Sequence, residues 1–133
     1  MAEANYPDDL LYHKEHDWAR IDAGAPDEAT LGITWYAQDA LGEVVFFQPP
    51  AVGTQVRKDE PYAEVESVKA VSDVIAPLSG EVLEVNQAVV DAPEKVNEDP
   101  YGDGWLIRIR LAEPAEVDSL LDVAAYRQVL AEQ

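Results

Sequence analysis

The chain predicts a mainly β fold, an antiparallel β domain carrying small helices, on three observations. Short extended runs follow one another between residues 52 and 111, with Gly or Pro turn residues between most of them. In "WLIRIRL", Leu106, Ile107, Ile109 and Leu111 alternate against Arg108 and Arg110, the pattern of a strand with one wet face. The segments with helical spacing are short and carry their own caps.

The elements follow in order. "HDWARID" and "EATLGIT" are extended runs, and the Gly and Pro of "AGAPDE" between them predict a hairpin-like loop. A short helix follows in "TWYAQDALG": Thr34 caps it, Tyr36, Ala37, Ala40 and Leu41 give the spacing, and Gly42 ends it. "EVVFFQ" is an apolar strand stopped by Pro49 and Pro50. "TQVRK", "YAEVES", "AVSDVIAP", "GEVLEVN" and "GWLIRIRL" complete the strands. The tail predicts two short helices, Pro114 in the first turn of one and Asp122 capping the other.

With 133 residues the chain suits one domain, 1–133, with its core at about 17–111 and C-terminal helices at about 114–131. At 47% hydrophobic and 27% charged residues the composition is that of an ordinary globular protein. No apolar run approaches membrane-spanning length, and "MAEANYPDDL" lacks the features of a signal or transit peptide. A bacterial cytoplasmic location is expected, or a mitochondrial matrix one for a processed chain. Nine basic against twenty-seven acidic residues give a net charge of -18, which sets nucleic-acid binding aside and leaves solubility, high salt or basic partners as explanations. The absence of cysteine excludes disulfides, thiolate metal sites and a cysteine nucleophile, so any sulfur chemistry must arrive on a cofactor.

One cation stands apart. In "AEVESVKAVSDVIAP" the runs "YAEVES" and "AVSDVIA" flank "VK" as the two arms of a hairpin, with Lys69 at its tip. No Asn-Gly or Asp-Gly drives the turn, so its geometry is not dictated by the usual turn chemistry. A lysine at a loop tip is ordinarily a solvated charge, and spacing alone does not make it a modification site.

"ESVKAVSD" followed by "APLSGEVLEVN" resembles the modification hairpin of lipoyl carriers, specifically the H-protein family of the glycine cleavage system. "YHKEHDWARI", "LGITWYAQDALGEVVFFQPPAVGTQV", "VNEDPYGDGWLIRIRL" and "EPAEVDSLL...AYRQVL" resemble that family in the same order, over nearly the whole chain. Biotin carriers usually place the lysine between two methionines, whereas Val68 and Ala70 flank it here. The lipoyl domains of 2-oxo acid dehydrogenases lack "GITWYAQDALG" and the C-terminal helices.

The resemblance implies a flattened lipoyl/biotinyl-type barrel-sandwich hybrid of two short sheets, with (R)-lipoate joined to Lys69 by an amide. It implies a non-catalytic shuttle: the P protein, glycine decarboxylase, loads the aminomethyl group of glycine, the T protein passes it to tetrahydrofolate, and the L protein, dihydrolipoamide dehydrogenase, reoxidises the arm. A lipoate ligase or octanoyltransferase would attach the group. The same resemblance places Asp17 and Asp73 on a cleft that holds the loaded arm's ammonium, Asp17 standing where the family usually has Glu. Glu66 or Glu64 could serve recognition by the attaching enzyme, and Gly80 belongs to the family's frame as a turn position. Two other readings stand beside it: an H-like carrier relaying lipoyl groups to other proteins, and an unmodified interaction module.

Several other residues have ordinary readings. His13 and His16 are too poorly spaced in extended chain to converge on a metal. Trp18, Trp35 and Trp105 are expected in the core or along the cleft. Gly102 and Gly104 lack the spacing of a phosphate loop. The stretch "DAGAPDEAT" is a longer loop than the family's, and Trp35 replaces a frequent Asp beside a possible docking region.

Overall fold

The computed structural model describes residues 5–132. Residues 1–4, which open the stretch read for targeting signals, and residue 133 lie outside the described residues.

Among the described residues nine strands form two antiparallel sheets. The larger contains β1 (Leu11–His13), β2 (Asp17–Asp22), β3 (Ala25–Ile33), β9 (Ile107–Leu111), β8 (Gly80–Val85) and β5 (Gln55–Val56), in that spatial order. The smaller contains β4 (Val44–Gln48), β6 (Pro61–Ser67) and β7 (Val71–Ile75), with β6 in the middle. Among the described residues no ladder joins them, so the fold is an open two-sheet sandwich and not a closed barrel. The expected mainly β class with small helices is what the structure has.

Alternation explains how the sheets meet. On β9, Ile107, Ile109 and Leu111 are buried, while Arg108 pairs with Glu28 and Glu84, and Arg110 with Glu81, on the wet face. Leu31 and Val82 from the larger sheet and Phe47, Val65 and Val74 from the smaller fill one shared core. A second cluster of Leu10, Tyr12, Trp18, Tyr101 and Tyr126 is covered by α4 (Val123–Ala131). Tyr12 and Tyr126 stack there with centroids 4.7 Å apart.

Helix α1 (Trp35–Leu41) has the expected ends: the Thr34 hydroxyl accepts from the Ala37 amide, and Gly42 at φ +90° ends it. Asp122 caps α4 in the same way. The first C-terminal helix is a 3-10 helix, Pro114–Ser119.

Several boundaries differ from expectation. β3 begins at Ala25, so the predicted "AGAPDE" loop contracts to a tight connection and the longer family loop becomes an extended hairpin. Pro26 is tolerated because β9 joins β3 only from Glu28 onward, leaving one side of the strand free of a ladder there. β9 begins at Ile107 and not Gly104, because Gly104 donates to the Asp99 carbonyl and the Asn86 amide holds the Trp105 carbonyl. Only Gln55 and Val56 of "TQVRK" are strand. Two helices, α2 (Gln87–Asp91) and α3 (Lys95–Glu98), were not predicted, nor was β1.

Candidate functional site

The hairpin β6–β7 is in register as Glu64 opposite Asp73 and Glu66 opposite Val71, which leaves Val68 to Ala70 as the turn. Lys69 is exposed at its tip, and among the described residues it makes no ion pair. The turn is built by a side chain after all. The Ser67 hydroxyl accepts from the backbone N–H groups of Lys69 (3.3 Å) and Ala70 (3.1 Å), and the Ser67 N–H donates to the Ala70 carbonyl at 2.8 Å. A buried serine therefore fixes the backbone that carries the lysine.

The Lys69 side chain leans back over the end of α1. A Cβ placed on Gly42 would lie 3.3 Å from Lys69 Cε, so this glycine serves both its left-handed φ and the lysine's stem. Asn97 on α3 holds this corner together: its amide donates to the Gly42 carbonyl and to Gln38 Oε1, and its oxygen accepts from the Val44 N–H. Between α1 and α3 lies a cavity of about 560 Å³ lined by Trp35, Gln38, Asp39, Gly42 and Glu98, among others.

Asp17 sits at the start of β2, opposite Ile33, and is 2% exposed. Its Oδ2 is buried without a hydrogen-bond partner. Burial, with a smaller push from Glu15, raises its carboxyl well above the usual range. The Tyr62 hydroxyl is likewise buried and unpartnered; burial raises that phenol, and the Asp17 charge adds to the shift. Tyr62 lines a cavity of about 290 Å³ together with Glu64 and Asp73. Asp73 itself is exposed. The two aspartates thus differ, one sealed in and one in solvent, with Tyr62 associated with both.

Gly80 is buried at the start of β8, opposite Leu111 and Val56. A Cβ there would lie 2.2 Å from the Arg110 carbonyl oxygen, so close backbone packing, and not turn conformation, requires the glycine. Glu66 lies on the outer face of the small sheet, half-buried between Phe46 and Val71.

The remaining candidates have structural partners. His13 Nε2 lies 2.6 Å from Asp59, a contact that with Lys58 lowers the Asp59 carboxyl, and His16 Nδ1 lies 2.8 Å from the Tyr126 hydroxyl. Among the described residues no three His, Cys, Asp or Glu side chains converge as metal ligands. Trp18 is fully buried and donates to the Pro100 carbonyl, Trp105 packs on the second cluster, and Trp35 lines the α1–α3 cavity. The Gly102 loop is tied by the Asp99 carboxylate, which accepts from the Gly102 and Asp103 amides.

Sequence reasoning missed Ser67 and Tyr62. Ser67 was legible in principle, as a hydroxyl two residues before the tip lysine. Nothing local marks Tyr62, whose burial depends on which way its bulged strand turns.

A family model described as glycine cleavage H-protein matches residues 10–133. A glycine cleavage system H protein of Halorhodospira halophila is 53% identical over 127 residues, covering 96% of each chain. One from Rubrobacter xylanophilus is 52% identical over 130 residues, covering 98% of each. The crystal structure of a glycine cleavage system H protein from Mycobacterium marinum superposes with a TM-score of 0.86 at 43% identity, over 95% of this chain and 99% of that one.

Proposed function

The chain belongs to the glycine cleavage H-protein family, and from that membership we propose that it is the lipoyl-bearing shuttle of a glycine cleavage system, carrying no catalysis of its own. The observation that carries this reading is Lys69, exposed and without an ion pair among the described residues, at the tip of a hairpin whose turn is fixed by a buried serine. These residues fit (R)-lipoate: the amine is open to acylation and its stem already lies along Gly42. When bound, the group supplies the dithiolane that a chain without cysteine lacks. Acylation also replaces the lysine's charge by a long neutral tether.

The protein's own contribution is positional. A rigid sandwich presents the arm, and the tether gives each docked enzyme a high local concentration of cargo. The partners on this reading are the P protein, the T protein and the L protein, together with a lipoate ligase or octanoyltransferase. The whole chain acts as one carrier domain, in the cytoplasm of a bacterium, as its bacterial relatives support.

Asp17 and Asp73 hold the ammonium of the carried amine. The support is electrostatic: Asp17 has a buried oxygen with no partner, and a cation brought against it would supply the missing charge. Asp17 itself is out of solvent, and a cargo ammonium brought against it would be shielded from hydrolysis. Glu66 contributes to recognition by the attaching enzyme, and Gly80 acts indirectly by setting the β8–β9 contact.

Tryptic mass spectrometry of the protein from its native cells tests the reading. Acylated Lys69 leaves the segment from Asp59 to Lys95 uncut and heavier by a lipoyl group, and that protein supports glycine decarboxylation when mixed with P protein. Efficient cleavage after Lys69 with no added mass would mean an unmodified interaction module. A lipoylated protein that fails with P protein would point to lipoyl relay.

A further inference from the structure

Strained backbone stands immediately before Asp17. His16 has φ +72°, a left-handed conformation that a residue with a Cβ keeps only when its surroundings hold it. Hydrogen bonds hold it on both sides. The His16 N–H donates to the His13 carbonyl at 2.9 Å, the Thr34 N–H donates to the His16 carbonyl at 3.1 Å, and His16 Nδ1 lies 2.8 Å from the Tyr126 hydroxyl of α4. The same hydroxyl lies 2.8 Å from Thr34 Oγ1.

His16 and Thr34 thereby extend the β2–β3 ladder one rung beyond Asp17 and Ile33. Alternation turns neighbouring rungs to opposite faces. Trp18, two residues from His16, lies in the cluster under α4, while Ala19 and Ile33, on the face of Asp17, lie in the core shared by the sheets. One phenol therefore ties the rung beside the one that presents Asp17. Its link runs on through Thr34 Oγ1 to the Ala37 N–H that begins α1. Thr34 and Tyr126 are both 0% exposed, so bulk water does not stand in for the phenol there.

Resting on the reading of Asp17 as acceptor of the carried ammonium, we propose that Tyr126 is a positioning residue whose hydroxyl locks the left-handed turn at His16 and so keeps Asp17 aimed and dry for the loaded arm. It acts through His16 and Thr34, not by contact with the arm. Packing does not account for the hydroxyl: the ring stacks on Tyr12, and phenylalanine would stack as well. Tyr12 supplies the contrast. Its hydroxyl also bonds within this cluster, but to the Pro7 carbonyl, away from the β2–β3 rung.

The test follows the Asp17 carboxyl carbon by NMR across pH in unmodified protein. The titratable groups around it are Glu15 beside it, His13 across β1, and Tyr62 and Tyr126, whose phenols feel its charge. Tyr126→Phe is expected to move the Asp17 midpoint down toward that of an ordinary carboxyl, because a loosened turn admits water. In lipoylated protein loaded with P protein and glycine, the same variant is expected to shorten the lifetime of the loaded arm, read by intact mass, at least about fivefold. Tyr12→Phe leaves the midpoint in place and the lifetime within about twofold of the parent. His16→Gly keeps the left-handed backbone and removes the phenol's partner, so it moves both readouts in the same direction and carries the test if Tyr126→Phe folds poorly. The two substitutions together cost less than the product of their separate effects. Variants that lower the melting temperature as Tyr12→Phe does, with midpoint and lifetime unmoved, make the hydroxyl merely structural and overturn the proposal. So do fully multiplicative effects in the double variant. If the midpoint moves and the lifetime does not, Asp17 is not the cargo's acceptor and that reading fails instead; a parent that is never lipoylated defeats the shuttle reading.

Discussion

A carboxyl group buried without a partner makes stability depend on pH, and Asp17 is such a group. Its folded value is raised, chiefly by desolvation and then by Glu15. The folded state therefore holds the proton more tightly than the unfolded state, whose carboxyl is ordinary. Stability contributed by that proton is full at acid pH below the unfolded value, and it is lost as pH climbs from there through the folded value. Asp17→Asn keeps the shape and removes the ionisation. The variant is expected to melt higher than the parent at pH 7, with the gap closing as pH approaches 4, in thermal scans across that range. A gap independent of pH would mean that the carboxyl is not buried as described. The same variant should shorten the lifetime of a loaded arm, since it cannot supply the anion. Sequence alone places Asp17 in an extended run; only the fold sets it between β1 and β3, opposite His13 and Ile33, with Tyr62 of the second sheet near enough to feel its charge.

The hairpin β6–β7 shows how one buried side chain organises an element. Ser67 is 8% exposed, and its hydroxyl accepts from two successive turn amides. Ser67→Ala leaves those amides to solvent, and a loss of about 1–2 kcal/mol is expected in urea denaturation. The slope of the transition should be unchanged, because the surface exposed on unfolding is the same. A stability equal to the parent's would show that water replaces the hydroxyl without cost. Long alternating strands and capped helices were readable in advance because their signals lie within the element: Thr34 and Asp122 cap their own helices, and Arg108 and Arg110 mark the wet face of β9. The short elements were not. α3 spans four residues, too few for a period, and β1 is a strand only because Tyr12 pairs with β2 on one side and meets Leu121 on the other. α2 did carry one local mark, Asn86, whose side chain accepts from the Ala88 amide.

The charge of the assembled protein governs how it responds to its solution. Twenty-seven acids share one small protein with nine bases, and among the described residues few of the acids are paired with a base. Self-repulsion therefore outweighs attraction, and screening relieves it. Raising NaCl from about 0.05 M to about 1 M should raise the melting temperature, as the screening length falls from over 10 Å to about 3 Å. A falling melting temperature would mean that the ion pairs along β9 matter more than the net charge. Composition fixed that response, and alternation with capping fixed the fold class and the main strands, because each is a property of neighbouring residues. The tip position of Lys69 was legible for the same reason. Only the tertiary structure decided that the sheets stay open, that Gly80 answers to the Arg110 carbonyl, that Asp17 and Tyr62 are sealed in together, and that Phe46, Glu66 and Val71 share one row. These depend on which distant strands meet and in what register, and a shift of one residue would turn each of those side chains to the opposite face.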